Sequence, residues 1–400
     1  MIQIPLARFI DRYVGISLCS AFHFIGRFNG RNKERLTLDQ VDRILISKFW
    51  GLGSLVEATP AFRAVRRRFP NTRITFLTLG RNRGVFDFYP HFDEILYMRD
   101  RSIPQILGEF FRLPRLLRRR RFDLVLDMDP VGRFCALVTF RSGAPIRVGF
   151  ATPRQYREKL YTRTVPLNED QHVRRIFLDL LTGVGMDERD LTLDPVAVDE
   201  TARVNVTRLL RDHGISESDV LVGINVNASD VARERRWPPE NFVRLAQALA
   251  RESGVRVVLF GGPDEVDYVT CVAERVEAPV INTAGRTTLL EMAELAGRCR
   301  LFISNDSGPL HVAVAMGVPT ISFFGPETPK RYGPLGPRHR VFFEGIDCSP
   351  CISFINEKQV NCPYHARCIR RIAFEPVLRA ALDILGMGRS AGASRPPSMP

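Results

Sequence analysis

The sequence predicts an α/β chain built from two doubly wound, Rossmann-like domains that face one another across a cleft. Three observations carry that prediction. Apolar, β-rich runs alternate with helical periodicity along two successive stretches, one starting near Arg43 and one near Val220. The 400 residues exceed what one ordinary core holds. One stretch, Leu301 to Gly325 (LFISNDSGPLHVAVAMGVPTISFFG), contains a complete strand–turn–helix–strand unit, which needs a parallel sheet.

Residues 1–40 form a prefix in which Phe9, Tyr13, Ile16 and Phe24 recur at roughly helical spacing among arginines. That pattern fits an amphipathic helix at a membrane interface and equally a helix packed on the first domain. The first domain, residues 41–200, has strands at RILISK, RITFLTL (73–79), EILYM (94–98), FDLVLDMDP (122–130) and IRVGF (146–150). Helices are expected over Leu55–Phe69, Ile103–Arg121 and Val131–Phe140, and LDPVAVDETARV reads as a connector. The run RLLRRRR is a solvated helical face or a contact with anionic headgroups.

The second domain, residues 201–345, repeats the pattern with strands at 220–228, 255–260 and 280–282 before the unit already described. A cysteine-rich segment and a closing helix follow over 346–386. The tail, 387–400, has the composition of a disordered segment.

The composition, 45% hydrophobic and 25% charged, is that of a globular chain. Its 57 basic against 44 acidic residues leave a net charge of +13, which suggests an anionic partner. Nucleic acid is the weakest choice, because no zinc finger or RNA-binding signature is present. Anionic lipid or a phosphorylated sugar remain. Neither a secretory signal nor a long uncharged apolar run is apparent, so a cytoplasmic protein is expected.

The turn Asp306-Ser307-Gly308-Pro309 joins the carboxyl end of a strand to the amino end of a helix. Unpaired N–H groups and the helix dipole there suit a phosphate, with His311 one turn further on. Other strand-end loops of the second domain would converge on the same ligand. They carry Asn227 and Ser229, then Arg235 ahead of Trp237-Pro238, then Gly261-Gly262, then Arg286, Thr287 and Thr288. Arg236 reads as an ordinary surface arginine.

The segment NTAGRTTLLEMAELAGRCRLFISNDSGPLHVAVAMGVPTISFFGPETP, residues 282–329, resembles the donor-site signature of glycosyltransferase family 9. That family contains the ADP-heptose:lipopolysaccharide heptosyltransferases, and a looser similarity runs from about Val41 to Cys368. The resemblance implies the GT-B architecture and an inverting transfer that requires no cofactor; no Asp-X-Asp pair is evident in the donor domain, where arginine and helix termini would make a metal unnecessary. It implies a sugar donor, ADP-heptose, and an acceptor in the lipopolysaccharide core or a related anionic envelope glycolipid. The enzyme would then work at the cytoplasmic face of the inner membrane. Two alternatives stand beside it: a nucleotide-sugar epimerase or hydrolase, and a donor-binding protein that has lost transfer.

The chain departs from the family at the general base. Heptosyltransferase-like proteins use an aspartate in a Gly-Asp pair after the first strand, and here the pair is Gly53-Ser54. Serine is no base at neutral pH without activation, so Glu57 ranks above Ser54, with an ordinary capping glutamate as the alternative. Asp127-X-Asp129 at the end of a first-domain strand is either structural or an acceptor contact.

Of eight cysteines, Cys19, Cys135, Cys271 and Cys299 are scattered and read as reduced packing residues. Cys348, Cys351, Cys362 and Cys368 cluster; the first pair is a metal half-site, while the second pair has an uncommon spacing. A structural zinc site fits them, as do reduced packing thiols or an occasional disulfide.

Overall fold

The computed structural model describes residues 15, 17–22, 37–152, 156–228, 230–354, 356 and 360–387. Two six-stranded sheets, all parallel, form its frame. The first holds β1 (Arg43–Ser47), β2 (Arg73–Leu79), β3 (Glu94–Met98), β4 (Leu124–Asp127), β5 (Ile146–Ala151) and β6 (Arg163–Pro166) in the order β3-β2-β1-β4-β5-β6. The second holds β7 (Val220–Asn225), β8 (Val255–Phe260), β9 (Val280–Asn282), β10 (Leu301–Asn305), β11 (Thr320–Phe324) and β12 (Arg340–Phe343) in the order β12-β11-β10-β7-β8-β9. The direction of winding along each sheet reverses once, between β1 and β4 and between β10 and β7. Helices cover both faces, which is why the inner strands read as continuous apolar runs: β10 and β11 are buried at every position. This is the GT-B architecture.

Several expected bounds move for local reasons. The helix foreseen over 55–69 is two helices, Leu52–Val56 and Thr59–Arg68. Pro60 has no N–H for the Val56 carbonyl, and the Thr59 hydroxyl donates to that carbonyl instead, at 2.8 Å. The strand expected over 122–130 ends at Asp127, beyond which the backbone turns to present Asp129. The connector expected near 190–205 gives way at Asp199, whose carboxylate caps the helix Glu200–Asp212 by accepting from the Ala202 N–H at 2.9 Å.

Residues 17–22 lie against the first half. Cys19 is buried with Ala136, Leu137 and Leu160, and the Phe22 ring sits 5.9 Å from Phe140. The rest of the predicted prefix helix falls outside the described residues, as do Ser229 and the tail beyond Met387. The helix Phe374–Leu385 packs on the second sheet through Val377 and Ala381, beside Trp237 and Phe242. Among the described residues no helix is long and apolar enough to cross a membrane.

Candidate active site

In open parallel sheets a crevice forms at the carboxyl ends of the strands where the winding reverses. In the second half that point lies between β7 and β10, and the side chains there are polar and buried. Asn225 Nδ2 donates to the Asn227 carbonyl (3.0 Å) and to the hydroxyls of Ser304 (3.1 Å) and Ser307 (2.9 Å). Asn305 Nδ2 donates to the Val226 carbonyl, and its Oδ1 accepts from the Trp237 N–H at 2.8 Å. These bonds tie the loop after β7 to the loop after β10.

Ser307 is the N-cap residue of the helix Gly308–Ala315, yet its hydroxyl turns back to Asn225 and Ser304 and bonds no helix N–H. With Pro309 also inside the first turn, the end of the helix presents its backbone dipole uncapped by a side chain. Arg235 reaches over this end and donates through one Nη to the Asp306 carbonyl (3.2 Å) and carboxylate (3.3 Å). Its Nε, although buried, has no partner among the described residues, which leaves a donor to spare for an anion. Arg236 is structural: it donates twice to the Ala228 carbonyl and stacks over Tyr268 at 4.7 Å.

The remaining donor-side residues sit on the other flank of the second sheet. The Gly285 N–H donates to the Gly261 carbonyl at 3.0 Å, joining the loops after β8 and β9. A Cβ on Gly261 would come within 2.8 Å of Val269 and 3.0 Å of Ala284, so close loop packing already explains this glycine. At Gly262 no such contact arises; its N–H donates to Glu265 at 2.8 Å. Thr288 is spent on capping its helix: the hydroxyl accepts from the Glu291 N–H, and the Glu291 carboxylate accepts from the Thr288 N–H. Arg286 is exposed beside the half-buried Thr287.

The two halves meet over the Asp306–His311 turn. A Cβ on Gly308 would lie 3.1 Å from Leu52, and one on Gly53 would lie 2.4 Å from His311 Cδ2. Through this contact runs a chain of alternating charge. Arg174 donates to Glu57 at 2.6 Å, Glu57 Oε1 lies 2.7 Å from His311 Nδ1, and His311 Nε2 faces Asp306 at 3.9 Å. Asp306 in turn pairs with Arg235. Glu57, His311 and Asp306 are all buried.

Burial alone would raise the Glu57 carboxyl, but His311 and Arg174 outweigh it and pull it down to about 2. Burial likewise disfavours charge on His311, yet Asp306 and Glu57 raise it to about 9. Asp306 is held below its ordinary value by His311 and Arg235 against the same penalty. At neutral pH the ring is therefore an imidazolium between two carboxylates. The surroundings of Glu57 differ from those expected of a base: it is out of solvent, both oxygens are engaged, and its proton affinity is very low. Its contacts are those of a residue that positions His311.

At the first-half strand ends, Lys48 pairs with Asp129 at 3.1 Å, and Asp129 Oδ2 accepts from the Phe49 N–H at 2.7 Å. Asp127 accepts from Arg157 (2.9 Å) and Tyr161 (2.6 Å). Burial and the adjacent Asp129 push Asp127 up to about 6 in spite of those donors. Asp127, Asp129 and Cys135 bring three potential ligand atoms within 4.8 Å of one another. Two cations already neutralise the carboxylates and protein donors occupy their oxygens, so the cluster is a buried ion network that does not fit a further cation.

Ser54 is half-buried and hydrogen-bonded to Tyr332 of the other half. His172 spans the halves too. Its Nδ1 accepts from the Arg174 N–H at 3.3 Å, so the proton sits on Nε2, which donates to the Gly333 carbonyl at 3.0 Å. Burial lowers its proton affinity and suits that neutral tautomer. Arg331 completes the belt by donating to the Glu169 carbonyl at 3.1 Å and to Glu327 at 2.9 Å. Trp50, 41% exposed, marks the open edge beside Gly132. Lys48, His172, Arg174 and Tyr332 have no signature in the sequence, because only the fold brings them to the cleft.

The four clustered cysteines are free thiols. Cys351 is pushed up to about 11 by burial and by Cys368, Cys362 and Cys348, so the four lie within electrostatic reach. Among the described residues, no three of these sulfurs lie mutually within 4.8 Å.

Two doubly wound parallel-sheet halves that meet at their strand ends, with Arg235 and an uncapped helix amino end beside the β7/β10 reversal, have the layout of a GT-B protein. The family model described as glycosyltransferase family 9 (heptosyltransferase) matches residues 110–360, and the chain belongs to that family. It is a glycosyltransferase. Lipopolysaccharide heptosyltransferase 2 of Salmonella typhimurium is 25% identical over 315 residues, covering 74% of this chain and 86% of that protein. Lipopolysaccharide heptosyltransferase 3 of Escherichia coli is 25% identical over 286 residues, covering 68% and 80%. Among solved structures, a family 9 glycosyl transferase from Veillonella parvula superposes with a TM-score of 0.74 at 26% identity, covering 88% of this chain and 98% of that one.

Proposed function

We propose that this chain is an inverting heptosyltransferase that moves heptose from ADP-heptose onto a hydroxyl of a lipopolysaccharide core or a related envelope glycan. The observation that carries the proposal is the placing of Arg235 over the uncapped amino end of the helix Gly308–Ala315 at the β7/β10 switch, braced from behind by the Glu57–His311–Asp306 chain. The leaving group of such a transfer is a diphosphate, and fixed positive groups aimed at it lower the barrier without reorganising during the reaction. Arg235 would pair with the diphosphate, the Ser307–Gly308 backbone would approach it, and Asn227 with the Gly261–Gly262 and Arg286–Thr288 loops would border the nucleoside. Glu57 positions His311 and keeps it charged. Deprotonation of the acceptor is assigned to neither Glu57 nor Ser54: the first binds a proton too weakly and the second has no basic form at neutral pH.

The acceptor would enter from the first-half strand ends, past Trp50, at the cytoplasmic face of the inner membrane. We further assign Cys348, Cys351, Cys362 and Cys368 to a structural zinc, whose binding would draw the sulfurs together and pin their segment beside Gly325. Metal analysis of wild type and Cys351→Ser tests it; a wild-type chain purified without metal speaks against it. For the donor, thermal-shift titration with ADP, UDP and GDP is the test. ADP should stabilise the chain most and lose its effect in Arg235→Ala, whereas equal shifts with all three nucleotides would contradict the base assignment. Donor binding with no transfer on any acceptor would instead fit the change to Ser54.

A further inference from the structure

The helix Ile103–Arg120 starts at the carboxyl edge of the first sheet, the edge that forms the cleft, and runs away from it. Its inner face is spent on Leu113 and Leu117 in the core. On its outer face Leu107 and Phe111, one turn apart, are each 54% exposed, and Arg112, Arg115, Arg118 and Arg119 are exposed beside and below them. Glu109, the single carboxylate of the helix, is buried and consumed by Arg99 (2.7 Å) and Arg112 (2.6 Å).

The neighbouring elements are buried or half-buried apart from Ser17 and Ala21, and they add no negative charge to this side. The helix Arg133–Arg141 and residues 17–22 contain no carboxylate. The Arg141 guanidinium lies over Phe110 at 4.4 Å, over Phe22 at 5.6 Å and over Phe111 at 6.0 Å. Burial, then the nearby Arg118 and Arg115, lowers the hold of Arg141 on its proton; like charges are crowded here. Exposed aliphatic and aromatic side chains set among arginines are what a bilayer interface accepts: apolar groups enter the headgroup boundary and arginines meet anionic lipid.

We infer that the outer face of Ile103–Arg120, with Arg141 and residues 17–22, is the surface by which the enzyme docks on an anionic membrane. The inference rests on the reading that the acceptor is lipid-anchored and adds where the chain touches the leaflet. Because the amino end of the helix lies at the cleft edge, Leu107 and Phe111 seat the cleft mouth at the headgroups from which the acceptor arrives.

Co-sedimentation of the full chain with phosphatidylcholine vesicles, with and without phosphatidylglycerol, tests this and needs no turnover. Wild type should pellet with the anionic vesicles and be released by salt. At about fivefold per arginine near an anionic leaflet, Arg115→Gln with Arg119→Gln should weaken binding about twenty-five-fold. Leu107→Ser with Phe111→Ser should weaken it as well. Arg208→Gln with Arg211→Gln removes the same charge from an exposed helix of the other half and should change little. Equal loss in that control would reduce the effect to net charge and overturn the inference. So would vesicle binding unchanged in the helix variants, or self-association on sedimentation that Leu107→Ser and Phe111→Ser abolish without any vesicle binding. Transfer to a soluble acceptor should survive in all these variants, so failure of docking and failure of the proposed reaction are separate results.

Discussion

Replacing Glu57 by glutamine removes one charge from the centre of the interdomain contact, and its consequences can be worked from the geometry. The rise of His311 from 6.5 to about 9 corresponds to roughly 3 kcal/mol of preference for the charged ring. Asp306 at 3.9 Å and Glu57 at 2.7 Å together supply it against the opposing cost of burial, and the substitution removes one of the two. Arg174 also loses its buried counter-charge, and breaking a buried pair from one side costs about 3–5 kcal/mol in all.

The pH dependence has a definite sign. His311 is raised on folding, so its contribution is full below 6.5 and is lost as pH rises through about 9. Glu57 is lowered, so its contribution is present above 4.5 and is lost as pH falls towards about 2. These are two views of one interaction and are not added; they put its full effect between 4.5 and 6.5. Urea unfolding of wild type should show stability falling between 6.5 and 9, while Glu57→Gln should be weaker throughout and fall less over that window. A double-mutant cycle with His311→Gln should give a coupling of about 1–3 kcal/mol. An unchanged urea midpoint and unchanged pH slope in Glu57→Gln, with only turnover lost, would refute the positioning role and return Glu57 to the role of base.

Three further substitutions probe the rest of the site. Arg235→Ala removes a partly exposed cation facing Asp306 and the proposed diphosphate; ADP affinity by calorimetry should fall about 10–100-fold with the fold retained. Gly53→Ala places a methyl 2.4 Å from the His311 ring and should destabilise the chain by about 1–3 kcal/mol in urea unfolding, with weaker ADP binding. Asp129→Asn strands the buried Lys48 without its counter-charge and should cost about 3–5 kcal/mol, read as a lowered urea midpoint.

The fold was legible because its signals are local. Period and punctuation located ten of the strands, and the missing two, β6 and β12, are short edge strands with exposed positions that carry little apolar pattern. The Asp306–His311 turn was legible for the same reason, since strand, turn and helix lie within 25 residues of sequence. What crosses the cleft was not. Glu57 and His311 are 254 residues apart, and Glu57 and Arg174 are 117 apart, so only tertiary structure pairs them. One sequence signal did point to a buried Glu57: it is the lone charge in Leu55-Val56-Glu57-Ala58-Thr59-Pro60-Ala61-Phe62, where neighbours on every side are apolar or small. The splitting of its helix at Pro60 was likewise readable from the proline.

The central claim is transfer of heptose through the site at the β7/β10 switch. Incubating the purified chain with ADP-heptose and a truncated lipopolysaccharide core, then following ADP release and the acceptor's mass together, tests it most directly. The account predicts one heptosyl residue added to the acceptor for each ADP released, no release without acceptor, and loss of both signals in Arg235→Ala. ADP released at the same rate without acceptor, leaving the acceptor mass unchanged, would contradict it.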